Sequence, residues 1–285
     1  MLTSLNLVEL LAGLAISLAI GVLGYRRGAL SGSGVLGAVI TGTLIFGLGG
    51  WEWGLLLIAF FISSSALSFY HARDKQGLAE KFAKGHRRDL GQALANGGLA
   101  AFLAVLSDLF SSFSAGASGH GQIWFLACAG AMAAVNADTW ATELGVLSRH
   151  PPRLITTGRR VEVGTSGGIT WLGTGASLAG ALFIGLLAGL AALILGQGWA
   201  VAAASLLGAA VGGTAGSLFD SLLGATVQAI YRCDTCGKET ESKIHRCGTE
   251  TRLVRGWPWL GNDVVNFLAS AVGALVAAAM GWGLL

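Results

Sequence analysis

The sequence predicts an all-α polytopic membrane protein with about eight transmembrane helices, and two observations lead to this prediction. Hydrophobic residues make up 53% of the chain and charged residues only 12%, whereas a soluble domain has about 25% charged residues. All 18 Lys and Arg residues fall in every second inter-helix loop. Because Lys and Arg mark cytoplasmic loops, we expect these loops to face the cytoplasm and both termini to face outward.

Eight apolar segments are long enough to cross the roughly 30 Å of hydrocarbon in a bilayer. They run approximately over 5–24, 29–48, 51–70, 91–112, 122–147, 168–195, 199–230 and 262–284. A β-barrel is the remote alternative, because barrel strands alternate apolar and polar residues and none of these segments does. The first segment is expected to stay as a helix, since it ends in Tyr25, Arg26 and Arg27 and not in a small-residue cleavage site.

The basic loops divide a chain that we predict to be a single integral membrane domain over 1–285, in a prokaryotic inner membrane. Two of these loops are long: a basic cytoplasmic loop at 71–90 and a Cys-containing cytoplasmic loop at 231–260. Such a basic surface suits membrane lipids with anionic headgroups and phosphorylated ligands, although its charge could serve topology alone. We expect no nucleic-acid partner.

Consecutive pairs of segments from the third onward form a candidate internal repeat. Ala176–Leu182 in the sixth segment is matched by Ala269–Leu275 in the eighth, and Asp138 in the fifth by Asp220 in the seventh. Repeated helix pairs are common in polytopic proteins. A chain rich in Gly and Ala also produces such matches by chance, so duplication and coincidence both stay open.

Acidic residues lie within two apolar segments, toward their cytoplasmic ends: Asp138 and Glu143 in the fifth and Asp220 in the seventh. An Asp at the centre of a membrane helix costs about 2.5 to 3.5 kcal/mol, which points to a function. The negative end of the helix dipole disfavours these acids further. The compensating cation is either a loop Arg or Lys, in a simple salt bridge, or Mg²⁺. An ideal helix places Asp138 and Glu143 about 140° apart, so either the fifth helix unwinds there or the two acids have different tasks.

The fourth, sixth and eighth segments begin at this same face, where free N–H groups and positive dipole ends can bind phosphate. Basic, polar or glycine residues precede or open them, and these candidate phosphate-binding residues are Lys75, Arg87, Arg88, Asn96, Arg159, Arg160, Thr165, Gly167, Asn262, Asp263 and Asn266. With the acids and Asn136, this layout predicts a metal-assisted phosphoryl-transfer site. Helix capping is the alternative for Asn262 and Asp263.

Four residues of the 231–260 loop have metal-ligand chemistry. Cys233 and Cys236 form a CxxC pair, followed by His245 and Cys247. This Cys₃His set suits tetrahedral Zn²⁺, and a structural ion is expected because four protein ligands leave no open position. A reducing cytoplasm argues against a disulfide; free or redox-active thiols and a chance pattern are the alternatives.

Several motifs carry a family resemblance. They are NADTWATELG at 136–145, PRLITT at 152–157, VGTSGG at 163–168, DSLLGATVQ at 220–228 and WLGNDVVN at 259–266. These motifs resemble the DUF92 integral membrane family, which includes the transmembrane protein 19 type and the plant and cyanobacterial phytyl-phosphate kinase. The resemblance implies a prenyl-phosphate kinase that converts phytyl, farnesyl or geranylgeranyl phosphate to the diphosphate with a nucleoside triphosphate. CTP is expected by analogy with related phytol kinases.

On this interpretation the three acids Asp138, Glu143 and Asp220 hold Mg²⁺, the basic residues neutralise phosphates, and Asn side chains orient them. The lipid tail lies between helices. One alternative is a transporter or lipid scramblase for an anionic or isoprenoid lipid, because intramembrane polar residues also mark substrate pathways. Clustering of the acids at one face favours the enzyme, with Asp108 as the exception. A third hypothesis is a non-catalytic assembly factor that tethers partners through the Cys loop.

Overall fold

The computed structural model describes residues 4–71, 87–113 and 120–284. Its eight helices, in chain order, are α1 Ser4–Arg26, α2 Gly32–Leu44, α3 Trp51–Phe69, α4 Leu90–Phe113, α5 His120–Gly145, α6 Trp171–Ile194, α7 Trp199–Thr226 and α8 Asn262–Leu284. A π-helical turn at Ile45–Gly49 continues α2. The predicted helical fold is therefore confirmed.

Seven of the eight described helices are long and apolar enough to cross a membrane, and α5 is the exception. Its surroundings explain why it can be more polar. Helices α3, α4, α6, α7 and α8 all pack against it, and every residue from Phe125 to Ala137 is buried. Because protein and not lipid encloses α5, this helix can carry polar residues without exposing them to hydrocarbon.

Glycine residues allow α5, α7 and α8 to meet backbone to backbone. A Cβ atom on Gly273 of α8 would lie 2.5 Å from the carbonyl oxygen of Gly130 in α5, and one on Gly212 of α7 would lie 2.5 Å from the carbonyl oxygen of Gly273. Small residues permit such close approach in membranes. The crossing brings the C-terminal ends of α5 and α7 next to each other.

The two matching segments of the candidate repeat, Ala176–Leu182 and Ala269–Leu275, both pack on α5 through a glycine. Gly180 lies against Ala137, and Gly273 lies against Gly130. Similar packing roles fit a duplication, which stays a prediction.

The described parts of four loops lie together at one end of the helix bundle, which we call the basic face: 27–31, 70–71 with 87–89, 146–170 and 227–261. Contacts between neighbouring loops and helix ends establish this arrangement for the described residues. They pair Leu30 with Arg88, Ser68 with Glu143, and Ser166 with Gln228. The basic loops are thus on one side, as the charge pattern predicted.

Short strands, which were not predicted, lie in two of these loops. In the α5–α6 loop, β1 Arg153–Leu154 pairs antiparallel with β2 Gly168–Ile169. In the α7–α8 loop, β3 Ile230–Arg232, β4 Glu239–Thr240 and β5 Arg252–Arg255 form an antiparallel sheet in the order β4-β3-β5.

These strands explain why two helices are shorter than predicted. Helix α6 was expected from residue 168 but begins at Trp171, because Ile169 lies in β2 and the Thr170 side chain caps the helix. Helix α7 was expected to reach residue 230 but ends at Thr226, because Ile230 lies in β3. In both places pairing with a distant segment overrides local apolarity.

Candidate active site at the ends of α5 and α7

Three carboxyl groups meet at the basic face between α5 and α7. Asp138 of α5 and Asp220 of α7 interact electrostatically with each other and with Glu241 of the α7–α8 loop. The Oδ2 atom of Asp220 is buried and has no hydrogen-bond partner among the described residues. Like charges that interact and an unpartnered buried oxygen are unfavourable without a proton or a cation. The group can therefore bind a cation.

A chain of hydrogen bonds fixes Glu241 at this position. The buried Gln228 side chain donates from Nε2 to Glu241 Oε1 at 2.9 Å, and Ser166 Oγ donates to Gln228 Oε1 at 2.8 Å. Ser166 belongs to the α5–α6 loop, so this chain joins two loops of the basic face. Glu241 was not predicted as a site residue.

Close packing places the predicted residues Thr165 and Gly167 beside the end of α7. Gly167 has φ +81°, and a Cβ atom there would overlap the backbone nitrogen of Ala225. Only glycine fits this approach. The loop that carries Thr165 thus lies directly on the last turn of α7.

Arg255 supplies the positive charge that the end of α7 requires. Its Nη1 atom donates to the Ala225 carbonyl at 3.0 Å, and its Nη2 atom donates to the Gly224 carbonyl at 2.8 Å. A cation at a helix C-terminus offsets the helix dipole and satisfies free carbonyl groups. The salt bridge predicted between a loop Arg or Lys and the acids stays a prediction, and Arg255, which was not singled out, binds the carbonyl groups of the helix end.

Glu143 and Asn136 lie on the other side of α5, toward α3. Ser68 Oγ donates to Glu143 Oε1 at 2.6 Å, and Ser63 Oγ donates to Asn136 Oδ1 at 2.9 Å. Asn136 also donates from Nδ2 to the Gly180 carbonyl at 2.8 Å. Because α5 stays helical to Gly145, Asp138 and Glu143 keep the different directions of an ideal helix. The three acids predicted to share one Mg²⁺ are therefore divided, with Glu143 apart from Asp138 and Asp220.

Arg88 lies close to Glu143 at the mouth of a cavity. Its Nη1 atom donates to Ser65 Oγ at 3.0 Å, and its guanidinium lies 5.9 Å from the ring centres of Phe60 and Phe61. Burial lowers the pKa of Arg88, and attraction to Glu143 opposes this shift. An arginine remains protonated under such conditions, so a positive charge stands at the cavity mouth.

The cavity itself lies among α1, α2, α3 and α4 and has a volume of about 60 Å³. Its lining is mainly apolar, with Arg88, Gln92 and Asn96 as its longer polar side chains. Arg88 thus brings a positive charge to a cavity whose other lining is mainly apolar.

The other predicted phosphate-binding residues occupy different parts of the basic face. Arg87 lies over the Tyr25 ring at 5.4 Å. Arg159 and Arg160 are exposed between β1 and β2. Helix α8 begins at Asn262, as predicted, and its polar residues Asn262, Asp263 and Asn266 are half-buried. Lys75 lies outside the described residues.

The predicted metal ligands of the Cys loop come together. The ligand atoms of Cys233, Cys236, His245 and Cys247 all lie within 4.8 Å of one another. Hydrogen bonding by Thr249 and then by His245 lowers the pKa of the Cys247 thiol to about 6, while hydrogen bonding with Cys247 raises the pKa of Cys236 to about 11. These hydrogen bonds therefore favour the thiolate form of Cys247, which is the metal-binding form.

Comparison with known proteins gives a family match and several relatives. The model of the integral membrane protein family DUF92 matches residues 15–274. Protein PGR of Arabidopsis thaliana is 34% identical over 204 residues, which are 66% of this chain and 65% of that protein. Protein VTE6, chloroplastic, of the same plant is 29% identical over 255 residues, 88% of this chain and 65% of that protein. An uncharacterized membrane protein of Methanocaldococcus jannaschii is 34% identical over 185 residues, 64% of this chain and 71% of that protein.

No solved structure matches the chain. The chain spans 65% of the length of PGR and of VTE6, so whatever those whole proteins do is not carried over by similarity alone. The family model, in contrast, covers most of the chain and includes every motif that suggested the resemblance. The chain therefore belongs to the DUF92 family of integral membrane proteins.

Proposed function

We propose that this protein is a prenyl-phosphate kinase that transfers a phosphoryl group from a nucleoside triphosphate, CTP, to an isoprenyl monophosphate at the basic face. The observation that carries the proposal is the meeting of Asp138 and Asp220 on adjacent helix ends. The proposal is also supported by membership of the DUF92 family, because the sequence motifs resemble a family that includes phytyl-phosphate kinase. Because a nucleotide must reach this face, we propose that it is cytoplasmic, in a prokaryotic inner membrane.

The residues fit a Mg²⁺ ion. Asp138, Asp220 and Glu241 offer carboxylate oxygens, the ligands that Mg²⁺ prefers, and the buried Asp220 Oδ2 has no hydrogen-bond partner among the described residues. Asp138 and Asp220 would hold the ion, with Glu241 directly or through water. A bound Mg²⁺ neutralises charge on the phosphate oxygens of a nucleotide.

We place the phosphate of the acceptor lipid at Arg88, where it would accept hydrogen bonds from the guanidinium, which is suited to two-pronged phosphate binding. The cavity of about 60 Å³ is too small for an isoprenyl tail, so the tail would extend from it between the helices. Glu143 would hold Arg88 in place by charge attraction. Asn96 in the cavity wall would orient the phosphate.

The remaining predicted residues would bind the triphosphate of the donor. Residues around the starts of α6 and α8 offer N–H groups, guanidinium groups and amides to phosphate oxygens. We assign this role to Arg159, Arg160, Thr165, Gly167, Asn262, Asn266 and the backbone N–H of Asp263, whose carboxylate can only accept hydrogen bonds. Lys75 and Arg87 would add positive charge from the neighbouring loop, and Asn136 would position α5.

The reaction needs no deprotonating side chain. A phosphate monoester has a second pKa near 6 and is therefore mostly a dianion at neutral pH. One acceptor oxygen attacks the terminal phosphorus of the nucleotide, the bond from that phosphorus to the bridging oxygen breaks, and the nucleoside diphosphate leaves with the bonding electron pair. Positioning and charge neutralisation then account for most of the catalysis.

The direct test is an assay of the purified protein with Mg²⁺, CTP or ATP, and phytyl, farnesyl or geranylgeranyl phosphate. We expect the corresponding diphosphate, and we expect Asp138→Asn to abolish it. Asp108→Asn is the matched control, because Asp108 is near the C-terminal end of α4, whereas the basic face is at the N-terminal end of that helix. If no pair of substrates gives product, the kinase proposal fails. Lipid movement in vesicles without nucleotide turnover would support the transporter or scramblase alternative.

A further inference from the structure

The four ligand atoms of the Cys₃His group in the α7–α8 loop all lie within 4.8 Å of one another. Cys233 Sγ lies 3.6 Å from Cys247 Sγ, and His245 Nδ1 lies 3.1 Å from Cys247 Sγ. Two Cys sulfurs that bind the same tetrahedral Zn²⁺, each through a Zn–S bond of about 2.3 Å, lie roughly 3.8 Å apart. A disulfide would instead require about 2.05 Å. The spacing therefore suits a shared ion and not a disulfide.

Two glycine turns build this geometry. Gly237, which follows Cys236, has φ +69°, and its N–H donates to the Cys233 carbonyl at 2.8 Å. Gly248, which follows Cys247, has φ +85°, and its N–H donates to the His245 carbonyl at 2.8 Å. Each turn folds the chain back so that both of its ligands point the same way. The pattern of two ligands followed by glycine thus occurs twice.

The loop has little apolar core of its own to hold these turns together. Between residues 231 and 251 the buried side chains are those of Tyr231, Cys233, Thr240 and His245. Small units with so little buried apolar surface need a disulfide or a metal to stay folded. Because two of the four buried residues are ligands, a metal would act at the centre of the loop.

Glu241 lies on the segment that connects the two halves of the ligand set. Strand β4, which ends at Thr240, pairs with β3 next to Cys233, and His245 begins the second half. The Glu241 carboxylate accepts from Gln228 and interacts with Asp138 and Asp220. Any constraint on the ligands therefore constrains Glu241 at both ends of a short segment.

We infer that Cys233, Cys236, His245 and Cys247 bind one structural Zn²⁺ ion, and that this ion holds the positioning residue Glu241 against Gln228 beside Asp138 and Asp220. The zinc site stands on its own geometry. Its importance for catalysis rests on the proposed function, so the tests below are made without substrate.

The first test is the metal content of the purified full-length protein, measured by mass spectrometry for zinc, iron and copper. We expect about one zinc ion per chain in the wild type and at least a tenfold lower zinc content in Cys233→Ser and Cys247→Ser. Cys128→Ala is the matched control, because Cys128 is buried in α5, and it should keep the wild-type zinc content. Wild-type protein that takes up no zinc after incubation with the metal and a reductant, or that holds iron instead, overturns the inference.

The second test uses the wild-type chain and does not depend on a variant that folds poorly. Hydrogen exchange is measured by mass spectrometry before chelation, after chelation and after zinc is added back. We expect chelation to raise exchange by at least tenfold in the segment from Gln228 to Cys247, and zinc to restore protection. Unchanged exchange on chelation would show that zinc does not hold Glu241. Glu241→Gln should keep a full complement of zinc, and loss of zinc in that variant would contradict its placement outside the ligand set.

Discussion

Replacing Arg255 by alanine should destabilise the protein through the end of α7. The guanidinium donates to the carbonyls of Gly224 and Ala225 at 2.8 and 3.0 Å. Hydrogen bonds from charged groups contribute about 1.5–3 kcal/mol each, and a cation at a helix C-terminus adds about 0.3–1 kcal/mol. Because Arg255 is half-buried and water can replace part of this bonding, we expect Arg255→Ala to lower the free energy of unfolding by about 2–4 kcal/mol.

Arg252→Ala is a control from the same strand. Arg252 is 72% exposed, and its nearest carboxylate, that of Asp234, is 4.0 Å away and 69% exposed. Such a surface pair contributes at most about 0.5 kcal/mol.

Thermal unfolding in detergent compares the two variants. At roughly 2–4 °C per kcal/mol, Arg255→Ala should lower the Tm by about 4 °C or more and Arg252→Ala by less than about 2 °C. Arg255→Lys keeps the charge but loses the pair of guanidinium hydrogen bonds, so its Tm should lie between those of the wild type and Arg255→Ala. Equal losses in the two alanine variants would refute the assignment of Arg255 as the cap of α7.

Further predictions concern the acids, the cavity and the helix crossing. Asp220→Asn should abolish diphosphate formation without lowering the Tm, because it removes a buried charge that has an unpartnered oxygen; a lower Tm would contradict this. Arg88→Gln should raise the KM for the isoprenyl phosphate at least tenfold and leave the KM for the nucleotide unchanged, as steady-state kinetics would show. Gly273→Ala should destabilise the protein by about 1–3 kcal/mol through overpacking against Gly130, whereas Gly175→Ala, whose Cβ has no atom within 4 Å, should not.

The helices were predictable because membrane crossing imposes a length and an apolarity on each segment. Their ends at Trp171 and Thr226 were not, since Ile169 and Ile230 continue the apolar pattern but pair in sheets with residues far along the chain. The apolar pattern of a segment indicates that its side chains can be buried. It does not indicate which distant segment will pair with its backbone in a sheet.

The candidate site was predictable to the extent that helix geometry decides it. The 140° separation of Asp138 and Glu143 on an ideal helix anticipates their placement on opposite sides of α5. Glu241 and Arg255 were not predictable, because they lie at the ends of the short strands β4 and β5, which the sequence did not predict. Only the folded loop shows that Glu241 meets Asp220 and that Arg255 meets Gly224.

The division of the acids about α5 has a consequence for how two phosphorylated substrates could meet. Asp220 of α7 and Glu241 of the α7–α8 loop lie on the Asp138 side of α5, whereas Glu143, Arg88 and the apolar cavity lie on the α3 and α4 side. A lipid phosphate held by Arg88 and a nucleotide held by the acids would therefore approach from opposite sides of the same helix end. Transfer between them requires the acceptor oxygen to come within about 3–3.5 Å of the terminal phosphorus, so the two phosphates must extend past the C-terminal end of α5 and meet there.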